Sequence, residues 1–173
     1  MKIRFFSLLV LLSLACVACQ SSQSTPKTQS QPTAQPIVTN SLPPTQTYDL
    51  QVNRHSVVAR LTQISFAEDS IIVSMSVTNG SKDVIQLNAQ DDMFLTDNVY
   101  DRNQYNLSVS PDNPTIQIQP GTTLKGQFVF IGRLAQSATK LDLIMNYKSD
   151  SDSSPNRPYL YFDDIIIQRH LQK

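Results

Sequence analysis

The 173-residue sequence has only two cysteines and no tryptophan, and both cysteines, Cys16 and Cys19, lie near the N-terminus. Exported domains commonly use cysteines as disulfide staples, so this placement excludes a disulfide within the rest of the chain. The apolar run over residues 5–18 is shorter than the roughly 20 residues that a membrane-spanning helix needs. We therefore predict that this run is removed during export and is not kept as a span.

The sequence also lacks a cluster of Lys and Arg. Without Lys2 and Arg4 it carries 12 basic against 14 acidic residues, a net charge of about −2. Nucleic-acid binding needs clustered positive charge, so no nucleic-acid partner is expected. No Gly-x-Ser-x-Gly or His-Glu-x-x-His motif surrounds the two histidines, His55 and His170. We predict a non-enzymatic protein with no catalytic residue and no cofactor.

Residues 1–18 have the organisation of a lipoprotein signal peptide, with a positive start, an apolar stretch and small residues at its end. The tetrapeptide Val17-Ala18-Cys19-Gln20 resembles a bacterial lipobox, in which the cysteine becomes the acylated first residue. Cys19 is the predicted lipidation site, and Cys16 is the alternative acceptor. Two or three acyl chains anchor a protein stably, because each buried CH₂ contributes ~0.8 kcal/mol. Ordinary cleavage without lipidation is the other interpretation.

Residues 19–47 are predicted to be the lipidated cysteine and a disordered tether rich in Pro, Gln, Ser and Thr. The segment holds half of the prolines of the chain, one charged residue (Lys27) and no aromatic residue. Such a composition cannot bury enough apolar surface to offset the entropy of ordering. Its prolines favour extended polyproline II, so it is predicted to act as a spacer between membrane and domain.

Residues 48–173 are predicted to form one domain of short strands. Apolar residues alternate with polar ones in a series of short segments separated by turn residues, as in all-β proteins. The segments with this pattern are residues 55–66, 70–79, 82–87, 94–96, 105–109, 115–118, 124–131, 140–147 and 159–170. We predict a bulge within residues 55–66, a hairpin turn at Asn79-Gly80-Ser81 and a type II turn at Pro120-Gly121.

The number and spacing of these segments predict an immunoglobulin-like antiparallel β-sandwich of about seven to nine strands. A lipocalin-type barrel is the alternative architecture, although it favours longer uninterrupted hairpins.

A set of strand and turn motifs resembles a bacterial extracellular immunoglobulin-like domain that occurs in small lipoproteins and is related to an immunoprotective-antigen sandwich. The motifs are Val73-x-Met75-x-Val77-x-Asn79, Phe94-x-x-Asp97 with Tyr105, Pro120-Gly121 before Phe128-Val129-Phe130, and Leu141-x-Leu143. The resemblance covers roughly residues 56–146 and implies a fold and an envelope location, without a catalytic site. That family usually has a glycine between the Asp and the Tyr; here Asn98 or Asn103 is expected to take the left-handed conformation.

Two features of the predicted domain suggest binding. Asp97, Asp101 and Asn103 share one loop and offer the oxygen ligands that calcium prefers, although usually such loops are solvated turns. Residues 165–167 are three consecutive isoleucines, which suit either a strand buried on both faces or an edge that pairs with a partner chain.

These features together predict an exported protein that is lipid-anchored to the cell membrane or the outer membrane, with its domain in the periplasm or at the cell surface. Gln20 after the cysteine favours the outer membrane, by resemblance to lipoproteins of two-membrane bacteria. The expected function is non-enzymatic binding or assembly, with the membrane engaged through the lipid anchor and an envelope protein as partner. Calcium or small-ligand binding is the alternative, and a hydrolase is a more distant one.

Overall fold

A computed structural model describes residues 41–149 and 154–169, and in these residues all regular secondary structure is β. None of the described segments forms a helix with the length and hydropathy of a membrane span. The ten strands are β1 (Gln46–Arg54), β2 (Val57–Phe66), β3 (Ser70–Asn79), β4 (Ile85–Gln86), β5 (Phe94–Asp97), β6 (Gln104–Leu107), β7 (Gln117–Ile118), β8 (Thr123–Ile131), β9 (Lys140–Met145) and β10 (Leu160–Ile166).

Eight of the strands form one antiparallel sheet in the order β1-β2-β3-β8-β6-β5-β9-β10, and β4 pairs with β7 in a separate two-stranded sheet. The large sheet curls until its two edge strands approach each other, so it is nearly barrel-shaped. This confirms the predicted all-β antiparallel class. Pairing between β6 and β8 is short, with only Asn106↔Ile131 and Leu107↔Phe130 in register.

Strand β3 forms where the alternation of apolar and polar residues is most regular. Ile71, Val73, Met75 and Val77 are buried and contribute to the core. Their side chains share one face of the strand because successive residues of a strand point to opposite faces. The strand lies between β2 and β8, and its bounds agree with the predicted residues 70–79.

The first strand, β1, was not predicted. It begins at Gln46, so Gln46 and Thr47, which the sequence analysis assigned to the tether, belong to the sheet. A two-residue turn joins β1 to β2, and both of its residues, His55 (φ 47°) and Ser56 (φ 65°), adopt the left-handed region. Positive φ at both positions is the mark of a type I′ hairpin, whose twist matches that of the strands. The predicted bulge in the following strand is confirmed, since the pairing with β3 shifts between Leu61 and Gln63.

The predicted hairpin at Asn79-Gly80-Ser81 is wrong, because β3 pairs with β2 and β8 while β4 pairs with β7. Gly80 does not provide a left-handed turn residue here. It allows a close approach instead: its N–H donates to Ser56 O (2.9 Å), and a Cβ at this position would lie 2.7 Å from that oxygen. By contrast, the type II turn is confirmed, with Gly121 at φ 67° and Thr122 N bonded to Gln119 O.

Three fully or almost fully buried asparagines hold the loops that cross the ends of the sheet. The Asn79 amide donates to Asp83 O and Ile118 O. The oxygen of Asn88 accepts from the N–H groups of Asp92 and Met93, and its amide nitrogen donates to Pro114 O. Asn146 donates to Gln86 O and Pro158 O and accepts from Ala89 N. Buried backbone groups need partners, and these side chains supply them where no neighbouring strand is present.

The hydrophobic core occupies the interior of the curled sheet. Its largest fully buried side chains are Phe130, Leu61, Ile64, Ile71, Met75, Ile85, Leu87, Leu95, Leu141, Leu143, Met145 and Leu160. Strands from both halves of the sheet contribute, so the core is shared by β1–β3 and β8 on one side and by β5, β6, β9 and β10 on the other.

Gly132 and Gly126 form a matched pair for testing the fold. Gly132 lies at φ 128°, and a Cβ there would be 2.8 Å from Cδ1 of Tyr105. We expect Gly132→Ala to lower the free energy of unfolding by about 1–3 kcal/mol, from backbone strain and displacement of the tyrosine. Gly126 has open space around it, so Gly126→Ala should be neutral or stabilising by up to about 1 kcal/mol. Urea unfolding of both variants measures the change in the free energy of unfolding. Equal changes in the two variants would contradict the close contact between Gly132 and Tyr105.

Candidate functional site

The two edge strands of the large sheet meet at a seam that side chains close. Gln46 is 8% exposed, and its amide nitrogen donates to Gln168 O (2.9 Å) while its oxygen accepts from Gln168 N (2.7 Å). This is the pair of bonds that a peptide group of a neighbouring strand would make. The Tyr48 hydroxyl lies 2.9 Å from Ile166 O and 3.0 Å from Oε1 of Gln46, two acceptors for its single proton. We call Gln46 and Tyr48 the clasp.

Next to the clasp both edge strands carry a bulge. In β1 the register with β2 shifts between Thr47 and Leu50, and in β10 the register with β9 shifts between Phe162 and Ile165. Bulges at sheet edges bend the strand and interrupt pairing. Along the seam lies a groove of about 670 Å³, here called the seam groove, lined by Pro44, Thr45, Gln46, Thr47, Tyr48, Leu50, Asp163, Asp164, Ile165, Ile166, Gln168 and Arg169.

The charged side chains at the seam groove differ in their partners. Asp164 is paired with Nζ of Lys140 (2.8 Å), and the Arg169 guanidinium donates to two backbone carbonyls, Ala135 O and Ala138 O. Asp163 is exposed, and its carboxylate makes no hydrogen bond or ion pair within the described part of the chain. The groove therefore combines apolar side chains with the exposed carboxylate of Asp163 and with the guanidinium of Arg169, whose positive charge the carbonyls do not neutralise.

Asp142 holds the bulge of β10 in place. Its Oδ1 accepts the backbone N–H of Asp164 (2.9 Å), a residue with the unusual φ of 48°. Its Oδ2 lies 3.4 Å from the guanidinium of Arg102, and Tyr161 donates its hydroxyl to the same carboxylate. Burial, and then this hydrogen bond, raise the pKa of Tyr161 to about 12. The bulge is thus fixed by a buried carboxylate on the neighbouring strand.

The predicted calcium loop is organised around Asp97, which is 2% exposed. One carboxylate oxygen accepts from Val99 N and Asn103 N, and the other accepts from the Asn103 amide (3.0 Å) and from the Tyr105 hydroxyl (2.8 Å). A buried carboxylate needs such donors in place of water. All four bonds come from the loop and from β6, so Asp97 shapes this part of the chain.

Asp101 and Asn103 do not converge on Asp97 as a set of metal ligands. Asp101 is exposed, and Asn103 contributes its amide nitrogen and backbone N–H. Within residues 41–149 and 154–169, no group of three or more His, Cys, Asp or Glu side chains is gathered as a metal site requires. The calcium site stays a prediction. The left-handed residues of the loop are Asp101 (φ 70°) and Arg102 (φ 45°), so the expectation for Asn98 or Asn103 was wrong.

The bond between Asp97 and Tyr105 affects the ionisation of the tyrosine. Burial, and then the hydrogen bond to Asp97, raise the pKa of Tyr105 to about 12 from a usual value near 10. Because the folded state holds this proton more tightly than the unfolded chain, the contribution to stability is complete below about pH 10. It is lost as the pH rises from about 10 to about 12.

The remaining predicted residues fall in different places. Cys19, the tether before residue 41 and His170 lie outside the described residues. His55 is in the β1–β2 turn and is not among the residues that line the seam groove. Of the three isoleucines, Ile165 and Ile167 are buried and Ile166 is 53% exposed, on an edge strand at the seam. Whether this strand pairs with a partner stays a prediction.

Gln46 and Tyr48 are the residues of the candidate site that sequence analysis missed. Gln46 was counted with the Gln-rich tether, because its composition matches that segment. The alternation of Tyr48, Leu50 and Val52 was the available signal, and these side chains pack partly buried against the core.

Comparison with solved structures finds β-rich bacterial proteins of unknown function. A functionally unknown protein from Listeria monocytogenes EGD-e shares 14% identity, with 71% of this chain and 83% of that chain covered and a TM-score of 0.46. A conserved hypothetical protein from Bacillus anthracis shares 10% identity, with 61% and 92% covered and a TM-score of 0.44. No protein-family model and no curated protein matches the sequence.

Replacement of Asp97 tests whether this residue is structural. We expect Asp97→Asn to lower the free energy of unfolding by about 1–3 kcal/mol, because an amide group then faces donors that need an acceptor. The exposed Asp101→Asn variant is the control, expected to change stability by less than about 0.5 kcal/mol. Thermal unfolding with chelator and with calcium measures both. A calcium-dependent rise in Tm that Asp101→Asn abolishes would contradict a purely structural role and support the metal site.

Removal of the clasp should loosen the seam. Gln46→Ala leaves the N–H and C=O of Gln168 without their partners, at a cost of about 1–2 kcal/mol. Amide hydrogen exchange should accelerate around Ile166 and Gln168 more than in β3. Gln51→Ala is the matched control, since Gln51 is an exposed residue of β1 whose side chain, among the described residues, bonds to that of Asn53. Equal exchange in the two variants would contradict the role of Gln46.

Proposed function

We propose that this protein is a lipid-anchored cell-envelope protein with a non-enzymatic binding or assembly role, and that the seam groove is its binding site. The observation that carries this proposal is the groove along the seam. Two sheet edges stand side by side, bridged by the clasp, and a groove of about 670 Å³ lies along them. Binding sites are commonly concave, with apolar walls and a few polar groups that fix orientation.

The export signal and the lipobox support an envelope location. In this proposal Cys19 is acylated, the Pro/Gln/Ser/Thr-rich segment is a spacer, and the domain stands in the periplasm or at the cell surface. Since β1 is the first strand after that segment, the spacer enters the sheet beside the seam groove. A partner bound at the groove would therefore be held close to the point at which the anchor joins the domain.

An immunoglobulin-like sandwich is the fold class that we propose for the sheet. Its strands divide into two groups of four, β1-β2-β3-β8 and β6-β5-β9-β10, whose side chains share one core. The groups join through the two residue pairs between β6 and β8 and through the clasp, which are the weakest junctions. Two facing sheets with few connections are typical of a sandwich, and the resemblance to extracellular immunoglobulin-like domains favours the same class.

Photo-crosslinking in cells tests the binding role of the seam groove. A photoreactive residue replaces Asp163 in the groove or, as control, Lys125, which is exposed on β8 three strands away from β1. We expect a discrete crosslinked product of the full-length protein from position 163 that is absent from position 125. Mass spectrometry then identifies the partner and the crosslinked position.

Variants of the two cysteines test lipid anchoring separately from binding at the seam groove. Cys19→Ala should abolish incorporation of a palmitate label and weaken the crosslink from position 163, whereas Cys16→Ala should retain both. Equal crosslinking from positions 163 and 125 would contradict binding at the groove. Retention of the label by Cys19→Ala would contradict acylation at that residue.

A further inference from the structure

The Asn79-Gly80 dipeptide carries a chemical reactivity that is separate from its place in the fold. It is the only Asn-Gly pair in the 173-residue sequence. Asparagine is a thermolabile residue, because the backbone nitrogen of the next residue can attack its side-chain carbonyl carbon. A following glycine leaves that nitrogen most accessible, since it has no Cβ and restricts the backbone least. In an unfolded chain, Asn79 is therefore the asparagine most prone to deamidation.

Deamidation at this pair passes through a cyclic imide. The Gly80 nitrogen loses its proton and forms a bond to Cγ of Asn79, while the bond from Cγ to Nδ2 breaks and Nδ2 leaves as ammonia. Water then opens the imide at either of its two carbonyls, which gives aspartate or isoaspartate at position 79. Water is the only co-reactant, and nothing is oxidised or reduced.

In the folded domain, hydrogen bonds hold both of the nitrogens that take part. The Gly80 N–H donates to Ser56 O (2.9 Å), so the attacking nitrogen is directed at another carbonyl. The leaving nitrogen, Nδ2 of Asn79, donates to Asp83 O (2.8 Å) and to Ile118 O (3.0 Å). Asn79 is also fully buried, which keeps water from the side chain. The native structure therefore opposes each step of the reaction.

Ser81 acts in the opposite direction. Its backbone N–H and its hydroxyl donate to Oδ1 of Asn79, at 3.0 and 2.7 Å. Donors placed in this way stabilise the negative charge that develops on the oxygen when a nucleophile attacks the carbon. Protection therefore depends on the bonds made by Gly80 N and by Nδ2 of Asn79, and it is lost when the end of β3 opens.

The products of the reaction do not fit the folded domain. A carboxylate at position 79 has no hydrogen to donate to Asp83 O and Ile118 O, so a buried charge would face two acceptors. Isoaspartate also lengthens the backbone by one carbon at the end of β3, where Asn79 N bonds to Thr122 O and Gly121 N bonds to Asn79 O. Either product therefore disfavours a return to the native structure.

We propose that Asn79-Gly80 is a deamidation site that the native hydrogen bonds keep inactive, and that conversion of Asn79 after the end of β3 opens prevents the domain from refolding. The rate in the folded protein then follows the fraction of molecules that are open at this site. Chemical modification of an open state is one way in which unfolding becomes irreversible. The site is independent of the proposed binding function, since none of its residues lines the seam groove.

Peptide mapping of the full chain tests the protection. Folded and unfolded samples are incubated in the same mildly alkaline buffer, the second with guanidinium chloride. The tryptic peptide of residues 61–82 contains Asn79 as its only asparagine, and that of residues 141–148 contains the equally buried Asn146, which precedes a tyrosine. We expect Asn79 to deamidate about a hundredfold more slowly in the folded sample, because few molecules are open at once. In the unfolded sample Asn146 should react far more slowly than Asn79.

Refolding of the unfolded sample tests the fate of the product. After the denaturant is diluted, native molecules are separated by gel filtration and the peptide of residues 61–82 is mapped again. We expect the native fraction to hold about tenfold less converted Asn79 than the remaining protein, since the carboxylate lacks the two donors. Asn79→Asp should lower the midpoint of guanidinium unfolding or prevent folding. Asn106→Asp is the control, at an exposed position whose bonded atom is the side-chain oxygen.

Four results would contradict the proposal. Equal rates in the folded and unfolded samples would overturn protection by the native hydrogen bonds. A rate for Asn79 no faster than that for Asn146 in the unfolded chain would overturn the reactivity of the pair. Equal conversion in the native and remaining fractions, or an Asn79→Asp variant whose midpoint matches that of Asn106→Asp, would overturn the block to refolding.

Discussion

The need of buried backbone groups for hydrogen-bond partners is the constraint on which this fold depends. The domain has no cysteine, so irregular loops at the ends of the sheet cannot be fixed by disulfides. Amide side chains serve instead, because Asn and Gln carry a donor and an acceptor in the same arrangement as a peptide group. Asn79, Asn88 and Asn146 anchor the loops, and Gln46 joins the two ends of the sheet. Each of these side chains makes the hydrogen bonds to backbone groups that a neighbouring strand would otherwise make.

This constraint explains which parts of the fold were visible in the sequence. The alternation of Ile71, Val73, Met75 and Val77 follows from one buried face, so β3 could be placed from the pattern alone. The Pro120-Gly121 turn could also be predicted, since it depends on local φ preferences. Asn79-Gly80 has the composition of a hairpin turn, but its function is non-local. The asparagine bonds across to Ile118 and the glycine makes room for Ser56, and neither partner is close in sequence.

The candidate site was harder to predict, for a related reason. A seam exists only once eight strands have been ordered and the first and last have come together, and nothing in residues 46–48 marks that outcome. Asp97 was predicted to be a calcium ligand, together with Asp101 and Asn103 of the same loop. The structure shows its oxygens engaged by Val99, Asn103 and Tyr105, an arrangement that the spacing of Asp97 and Tyr105 permits but does not require. The sequence was sufficient to locate the loop, but the hydrogen-bond partners of Asp97 depend on how the loop packs against β6.

The clasp has one more consequence, which concerns how the domain can be used as a building block. Gln46 and Gln168 lie near the two ends of the described part of the chain, and they are in direct contact. The chain therefore enters and leaves this sheet at neighbouring points. A domain with adjacent ends can be inserted into a loop of another protein, or have its ends joined and new ones opened elsewhere, with little disturbance of the host. In this protein the Gln46 side chain, which closes the sheet, also holds the two ends of the domain next to each other.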